Sequence, residues 1–531
     1  MKRLLFGLSI VAVLWSAACS GGNGVVNPPP PVGKYSVASL NGQYAFVTNG
    51  ESFTGGVNAT PLARMGSFTA DGTGKILTGV EDVNAAGTTS LALPITGGTY
   101  TVNADGRGTL TLQLAQTAID FGITLTSTND GLMIDETSNT SQSSTGSGNF
   151  TKQNAASFQV AGISGPYVFD FPGLDGDQTF PCPCPESFAG RFDASNGTIS
   201  SGFFDDNDNG TFSNGAFVGT IAQDPLQSST LTSFGRGVAL IAGQNYVFYI
   251  VDATRVRFIS TNLGMLSGDA VAQDNTVPTN VSSINSSFVF IVAGSSGSGG
   301  IARVGRFTAN GATVTAVLED TNDGGKFIKT DSATAASITL DAANSGRGTF
   351  TFTDPNFPNA PSTFVFYLSS STQGVIQEQT TNNSGAVDVA DGTLAAQTGG
   401  PFASSNITGA YAINWSGLSL QNGGGFSVQD EEDLVGQVTV ASLNLTGAAD
   451  IFQFQSGVPV FDLVTTGSIS IAGDGTSSTG SSSRNTMTVK LAKGNTTTVN
   501  CVVYFVNPQL AFFMNNQDQN RTVAGILQTQ Q

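Results

Sequence analysis

The stretch LNGQYAF at residues 40–46 decides the fold, because variants of it return three more times along the chain. The copies read ISGPYVF at 163–169, INSSFVF at 284–290 and ITGAYAI at 407–413. Their aromatic residues stand about 122 residues apart and are Tyr44, Tyr167, Phe288 and Tyr411. A period of that length is too long for a solenoid repeat and fits a complete domain with its own core. The sequence therefore predicts four tandem copies of one domain.

Each copy shows the alternation of apolar and polar residues that is typical of β-strands. In TLTLQL at 109–114, the leucines face one way and the threonines and glutamine face the other. About eight such runs fill the first copy, separated by turn signals such as NG, DGTG and NADG. Sequential strands joined by short turns form an antiparallel meander, and eight of them can close into an up-and-down barrel. The predicted fold class is all-β with four such domains, and β-sandwiches are the alternative.

A second repeated phrase carries an arginine. GRGT at 106–109 returns as GRGV, GRGT and SRNT, so that one arginine falls in each copy, and these are Arg107, Arg236, Arg347 and Arg484. Acidic pairs also recur before a turn, at Glu81-Asp82, Asp205-Asp206 and Glu319-Asp320. We expect both sets to be structural, with the carboxylates forming salt bridges to the repeated arginine.

The composition argues against several functions. Lys and Arg total 20 against 38 Asp and Glu, so the net charge is −18 and a phosphate backbone would be repelled. Histidine is absent, which removes Ser-His-Asp and Cys-His catalysis and the commonest zinc ligand. Adjacent carboxylates on one strand point to opposite faces and cannot serve as a paired acid and base. We therefore expect neither nucleic-acid binding nor enzymatic activity.

The N-terminus predicts export. Lys2 and Arg3 precede an apolar run at 4–15, and small residues lead to Cys19. The small residues before Cys19 resemble a bacterial lipobox, whose cysteine is lipidated, although Ser16 stands where leucine is usual. Residues 20–35 are rich in glycine and proline and form a tether. The prediction is a protein that its lipid anchors to the outer membrane or cell surface.

The chain divides into a signal peptide, the tether and four repeats at 36–156, 157–277, 278–400 and 401–531, with the signal at 1–19 and the tether at 20–35. The opening Gly-x-aromatic phrase, as in Gly42-x-Tyr44, Gly165-x-Tyr167 and Gly409-x-Tyr411, resembles that of calycin barrels of the lipocalin and avidin type. The whole chain is similar to exported bacterial lipoproteins built from repeated domains of this length, a group without an assigned activity. The resemblance implies barrels whose first strand carries an aromatic plug.

Two local motifs suggest binding or redox chemistry. DDNDNG at 205–210 resembles the start of a calcium loop, so Asp205, Asn207 and Asn209 are candidate ligands of a weak calcium site. The twelfth position of that loop is Ala216 where calcium loops need glutamate, which favours a plain hairpin turn and no cofactor. Cys182 and Cys184 predict a local or intermolecular disulfide, with a soft-metal site as the alternative, whereas we expect Cys501 to be buried.

Three strands lack alternation altogether. The runs YVFYIV (246–251), FVFYL (364–368) and VVYFV (502–506) occupy the same slot in copies two to four and are apolar on both faces. Such strands are covered on both sides, and we expect a neighbouring domain to cover the outer face, with a ligand patch as the alternative. The function that these features favour is binding, adhesion or envelope structure, through a surface ligand or envelope partner. A carrier of small apolar ligands is the alternative, and a polysaccharide-active enzyme the remote one.

Overall fold

The computed structural model describes residues 33–53, 59–138, 143–175, 184–224, 233–331, 333–343, 345–355, 359, 361–380, 388–420, 429–453, 458–471 and 484–531. These residues form an almost entirely β structure with four short 3₁₀ turns, at Val37–Ser39, Ala155–Ser157, Val160–Gly162 and Val281–Ser283. No helix within the described ranges has the length and apolar character needed to cross a membrane.

Barrels 1 and 3 each close a sheet in which the fourth strand is split in two. In both barrels the second strand pairs with the first strand and also with the third, so the sheet closes into a barrel with eight strand positions around it. Barrel 1 contains β1 (Asn41–Phe53), β2 (Ala59–Asp71), β3 (Lys75–Ala85), β4 (Thr88–Ile95), β5 (Gly97–Tyr100), β6 (Arg107–Gln113), β7 (Ala118–Leu125), β8 (Asp130–Asp135) and β9 (Ser143–Lys152). Barrel 3 contains β18 (Asn285–Ser296), β19 (Gly299–Asn310), β20 (Thr313–Asp323), β21 (Lys326–Thr330), β22 (Thr334–Leu340), β23 (Arg347–Thr353), β24 (Ser362–Leu368), β25 (Gln373–Glu378) and β26 (Val389–Ala396).

Barrels 2 and 4 are closed eight-stranded meanders without that split. Barrel 2 contains β10 (Gly165–Leu174), β11 (Pro185–Ser195), β12 (Thr198–Asp208), β13 (Thr211–Gln223), β14 (Arg236–Ile241), β15 (Gln244–Asp252), β16 (Arg255–Ser260) and β17 (Met265–Ala272). Barrel 4 contains β27 (Gly409–Leu420), β28 (Gln429–Ala441), β29 (Asn444–Gln453), β30 (Val460–Ser470), β31 (Asn485–Lys493), β32 (Asn495–Asn507), β33 (Leu510–Asn515) and β34 (Arg521–Thr529). The prediction of four antiparallel eight-stranded barrels is confirmed, and the sandwich alternative is wrong because the strands pair in sequential order.

The repeated opening phrase begins the first strand of each barrel. Its aromatic side chain is buried at the barrel end where the strand starts, and the tyrosines donate to a carbonyl there, such as Tyr167 Oη to Ala253 O at 2.6 Å and Tyr411 Oη to Pro508 O at 2.6 Å. Gly42 has a φ of 115°, in a region that disfavours a Cβ atom, and the corresponding glycines of copies two and four share it. The phrase is therefore architectural.

The four barrels form a closed ring. Strands β1 and β2 of barrel 1 contact β15, β16 and β17 of barrel 2, and the same pairing of first strands against last strands recurs between barrels 2 and 3 and between barrels 3 and 4. Strand β28 of barrel 4 contacts β7, β8 and β9 of barrel 1, which closes the ring. Each interface is therefore heterologous, since it joins two different surfaces of the barrel. Repeating this contact four times leads back to the first barrel and closes the ring.

All four barrels point the same way in the ring. The linkers between barrels lie at the end where each first strand begins. Tyr35, the last residue of the predicted tether, lies there too, with its hydroxyl 2.8 Å from the carbonyl oxygen of Gln531. We call this the linker end and the opposite one the far end. The hairpin turns at Ala86-Gly87 and at Gly494 belong to the far end.

Candidate functional site

The repeated arginine joins one barrel to the one before it. Arg236 of barrel 2 donates to the carboxylate of Asp82 in barrel 1, with Nε and Nη2 at 2.8 and 2.7 Å from its two oxygens. The hydroxyl of Tyr249, the cross-strand neighbour of Arg236, donates to the same carboxylate at 2.5 Å. All three side chains are buried, so this is a desolvated ion pair in a geometry that satisfies both charges.

The same three-residue bridge recurs at the next two interfaces. Arg347 and Tyr367 of barrel 3 hold Asp205 of barrel 2, with Arg347 Nε at 2.7 Å and the Tyr367 hydroxyl at 2.5 Å. In the same way Arg484 Nε and the Tyr504 hydroxyl of barrel 4 lie 2.5 and 2.6 Å from the carboxylate of Asp320 in barrel 3. The acidic pairs therefore do meet the repeated arginines, in the following copy of the domain.

The interface between barrels 4 and 1, which closes the ring, has a weaker version of the arginine–aspartate–tyrosine bridge. Thr124 stands opposite Arg107, where the other copies have tyrosine. Arg107 Nη1 lies 4.0 Å from Asp450, at the position of the repeated aspartate, and 2.8 Å from Asp462, whose side chain is 74% exposed. An exposed partner contributes little because solvent screens the pair.

Two sets of amide side chains, which sequence reasoning missed, cross the interfaces. The asparagine two positions after the aspartate donates to the far end of the next barrel, as in Asn84 Nδ2 to Gly264 O at 2.9 Å. Asn207 and Asn322 do the same, and Phe452 replaces the asparagine in barrel 4. A glutamine after each last strand donates at the linker end, as in Gln273 Nε2 to Leu368 O at 2.7 Å, and these glutamines are Gln153, Gln273, Gln397 and Gln530. The available signal was the recurrence of the glutamine in all four copies and of the asparagine in the first three.

The unalternating apolar runs are covered by the preceding barrel. Val247, Tyr249 and Val251 of barrel 2 pack in one hydrophobic cluster with residues of barrel 1, including Met65. The corresponding runs of barrels 3 and 4 join the clusters between barrels 2 and 3 and between barrels 3 and 4. The expected neighbouring domain is therefore present, and these strands are buried on both faces.

The described interiors of the barrels are filled by their own side chains. In barrel 3 the ring centroid of Phe350 lies 4.1 Å from that of Phe307 and 5.3 Å from that of Phe352, and all three side chains are fully buried. Each of the other barrels has one such interior cluster. Close packing of this kind leaves no room for a ligand along the packed length of the barrel.

Charged side chains occupy the far end of three interiors. Arg64 donates to Glu81 and Asp135 in barrel 1, at 3.1 and 3.2 Å, and Arg521 holds Glu432 in barrel 4 at 2.7 Å. In barrel 3, Arg303 lies 2.8 Å from Glu378, 2.9 Å from Asp388 and 3.6 Å from Glu319. Burial raises the pKa of Glu319 to about 7 and that of Glu378 to about 8, against the opposing charge of Arg303.

Barrel 2 differs at the same place. Phe188 and Phe204 occupy the positions of Arg303 and Glu319, with ring centroids 5.2 Å apart. Further toward the far end, burial raises the pKa of Glu186 to about 8 and that of Asp206 to about 6. Within the described part of the chain, no group of three or more acidic or cysteine side chains is arranged to hold a metal ion.

The structure places the other candidate residues as follows. Asp205 is held by barrel 3, and Asn207 donates to the carbonyl oxygens of Glu378 and Asp388, while Asn209 lies in the hairpin turn with a φ of 45°. Calcium binding by this loop stays a prediction. Cys184 is in a disulfide and Cys501 is free and buried. Cys182 and the lipidation candidate Cys19 lie outside the described residues, so their pairing and modification also stay predictions.

A cavity of about 530 Å³ lies where barrels 1, 2 and 3 face the ring axis. Its walls come from the outer faces of first and last strands and include Asn49, Asn149, Asp170, Asp269 and Thr393. Arg255, which lies 3.6 Å from Asp269, borders the same space.

No protein-family model matches the chain, and no curated protein matches it. Among solved structures, a transferrin binding protein B double mutant from Haemophilus parasuis Hp5 is 11% identical, with a TM-score of 0.19, covering 94% of this chain and 97% of that one. The isotype 1 transferrin binding protein B from serogroup B Neisseria meningitidis is 10% identical, with a TM-score of 0.16 and coverages of 76% and 85%. A putative AttH from Nitrosomonas europaea is 9% identical, with a TM-score of 0.16 and coverages of 70% and 97%. These values support no conclusion about this chain.

Proposed function

We propose that the chain is an exported lipoprotein, anchored through Cys19, whose ring of barrels acts as a binding or structural module of the cell envelope. The observation that carries the proposal is the common orientation of the barrels: the described chain starts at the linker end, so the tether enters there. A lipid at Cys19 then holds the linker end toward the membrane and presents the four far ends to a surface ligand or an envelope partner. The repeats run over 36–156, 157–277, 278–400 and 401–531.

The interfaces and interiors support a presenting role over a carrying one. Four interfaces join the barrels into the ring, and the described interiors are closed by aromatic side chains at one end and, in three barrels, by charged groups at the other. A carrier needs an accessible apolar cavity, and a polysaccharide-active enzyme needs two carboxyl groups that converge from separate positions in a cleft. The repeated acidic pairs do not converge, because Glu81 lies inside barrel 1 and Asp82 contacts barrel 2.

Lipidation and orientation are tested together in cells. We expect a fatty-acid label to enter the wild-type chain and to be absent from Cys19→Ala. An epitope inserted at Gly494, a far-end turn with open space around it, is expected to react with antibody on intact cells. The control epitope is placed in the linker-end turn of the same barrel, at Ser442-Leu443. Equal labelling of Cys19→Ala would contradict the anchor, and a Gly494 epitope that reacts only after the envelope is opened would contradict surface presentation.

Native mass spectrometry distinguishes presentation from transport. For the mature chain purified from its own host in detergent, we expect the mass of the lipidated polypeptide alone, because the barrel interiors are already filled. Unfolding the same sample provides the reference mass. A stoichiometric mass that is lost on unfolding would overturn the assignment and favour the carrier.

A further inference from the structure

The four interfaces of the ring are of two kinds. Broad hydrophobic clusters join barrel 1 to barrel 2 and barrel 3 to barrel 4, each drawing on several strands of both barrels. The other two interfaces have small clusters among the described residues. They consist of Val168, Ala189, Val365 and Tyr367 between barrels 2 and 3, and of Leu132, Ile134, Ala412 and Val435 between barrels 4 and 1. Because apolar burial scales with area, the ring is held more firmly within two barrel pairs than between them.

Internal sequence differences show the same pairing. Barrels 1 and 3 share the split fourth strand and an arginine–glutamate contact inside, Arg64 with Glu81 and Arg303 with Glu319. Barrels 2 and 4 have neither feature at those positions and carry Phe188 and Leu434 instead of the arginine. The repeating unit is therefore a pair of unlike barrels, present twice.

The two weaker interfaces also contain facing carboxyl groups. Between barrels 2 and 3, Asp170 faces Asp391, and the Oδ1 atom of Asp170 is buried without a hydrogen bond. The other charged groups nearby are Asp269, the cross-strand neighbour of Asp170, and Arg255 and Arg257, which lie against Asp269. Between barrels 1 and 2, Ser267 stands at the position of Asp391 and its Oγ donates to Asn49 Oδ1 at 2.6 Å, while Val47 stands at the position of Asp170.

The ring-closing interface repeats this feature in barrel 4. Glu431 and Asp433 share a hydrogen bond, and Glu51 of barrel 1 adds a third negative group. Thr145 of barrel 1 donates to Asp433 at 2.6 Å, while the intervening Glu432 points into barrel 4 toward Arg521. Arg107 contacts barrel 4 at the same interface through Asp450 and Asp462 and pairs with Asp105 of its own barrel. The buried carboxyl group of Glu136 lies near Asp120, Asp135, Asp450 and Asp462.

We infer that the protein is two rigid barrel pairs that close into a ring in acid and part at both carboxyl-bearing interfaces as the pH rises. The pairs stay connected by the linker between β17 and β18. Opening separates the walls of the cavity at the ring axis, since these walls come from both pairs. The device is an acid-closed clamp.

The direction follows from the protonation of the carboxyl groups. Burial and, for Asp170, the neighbouring Asp391 raise these pKa values, to about 7 for Asp391 and about 7 for Asp433, and well above the ordinary value for Asp170 and Glu431. A carboxyl group whose pKa is higher in the closed ring than in the open form stabilises the closed ring. This stabilisation is complete at pH values below the ordinary pKa of the group, and it is lost as the pH rises through 7. Each such group changes the closing equilibrium by up to about tenfold per pH unit in that window.

Small-angle X-ray scattering of the full mature chain tests the clamp. We expect the radius of gyration to increase reversibly between pH 5 and pH 8.5, with a midpoint near 7, the pKa of Asp391 and Asp433. A variant with Asp170→Asn, Asp391→Asn, Glu431→Gln and Asp433→Asn should stay compact throughout. A radius that does not change with pH, or an unaltered transition in that variant, would overturn the inference.

A pair of crosslinked variants provides a test that does not depend on the carboxyl groups. Ser147 Oγ lies 3.1 Å from Asn414 Oδ1 across the ring-closing interface, so Ser147→Cys with Asn414→Cys is designed to lock the ring. The matched control is Ser267→Cys with Asn49→Cys, across the interface within a pair. We expect the first crosslink to abolish the expansion and the second to leave it intact. Equal behaviour of the two would refute the division into pairs.

Discussion

Replacing Asp82 with alanine is expected to lower the free energy of unfolding by about 3 kcal/mol, one of the two largest single-residue effects expected in this protein. The substitution leaves the Arg236 guanidinium and the Tyr249 hydroxyl buried without their shared acceptor. Removing one partner of a buried pair costs about 3–5 kcal/mol, and the lower end applies because Arg236 keeps its contact with Asp224. Urea unfolding at pH 7, followed by tyrosine fluorescence and circular dichroism, measures the change.

The ring itself contains the matched control. Asp462→Ala removes a partner of Arg107 at the ring-closing interface, but that carboxylate is 74% exposed in its side chain. We expect a loss of less than about 1 kcal/mol, as for other exposed pairs. Replacing the whole bridge together with the second partner of Arg236, with Asp82→Leu, Arg236→Leu, Tyr249→Phe and Asp224→Asn, should recover most of the loss, because no buried charge is then left unpaired. Equal costs for Asp82→Ala and Asp462→Ala would show that the buried bridge adds nothing.

The fold of one copy could be predicted from its sequence, but the ring could not. Strand alternation and turn residues are signals between neighbouring positions in the sequence, so a single copy is enough to predict the eight-stranded meander. The bridge between Asp82 and Arg236 joins residues of different copies, and nothing local in either phrase states which copy supplies the partner. The apolar run at 246–251 did predict a covering domain, although its Tyr249 was counted as apolar when its hydroxyl completes the bridge.

The interiors were hard to predict for another reason. Alternation assigns Glu81 to one face and Asp82 to the other, but it does not state which face is the inside of a barrel. Arg64 and Arg303 lie inside, where sequence patterns lead one to expect apolar residues, and they are tolerated because carboxylates from other strands meet them. In barrel 2 the positions of Arg303 and Glu319 are occupied by two apolar side chains, Phe188 and Phe204, which pack against each other.

That internal comparison defines the second large effect, which we expect from Arg303→Met. The substitution removes the guanidinium that faces Glu319, Glu378 and Asp388 at the far end of barrel 3. Three carboxyl groups then remain in a buried space without their cation, and we expect a loss of about 3–5 kcal/mol at pH 8. The loss should be smaller at pH 5, where the carboxyl groups bind protons and no longer need the cation.

The sign of this pH dependence follows from the native protein. Burial already holds the pKa of Glu319 at about 7 and that of Glu378 at about 8, above their ordinary values, with Arg303 opposing the shift. Without Arg303 both pKa values rise further, so the variant regains stability as the pH falls through 8 toward 5. Phe188→Met at the same position of barrel 2 is the control, since it exchanges one apolar side chain for another and should cost about 1–2 kcal/mol equally at both pH values. The measurement is the decrease in the urea midpoint that Arg303→Met causes at each pH. If that decrease were the same at pH 5 and at pH 8, the buried carboxyl groups would not depend on this arginine.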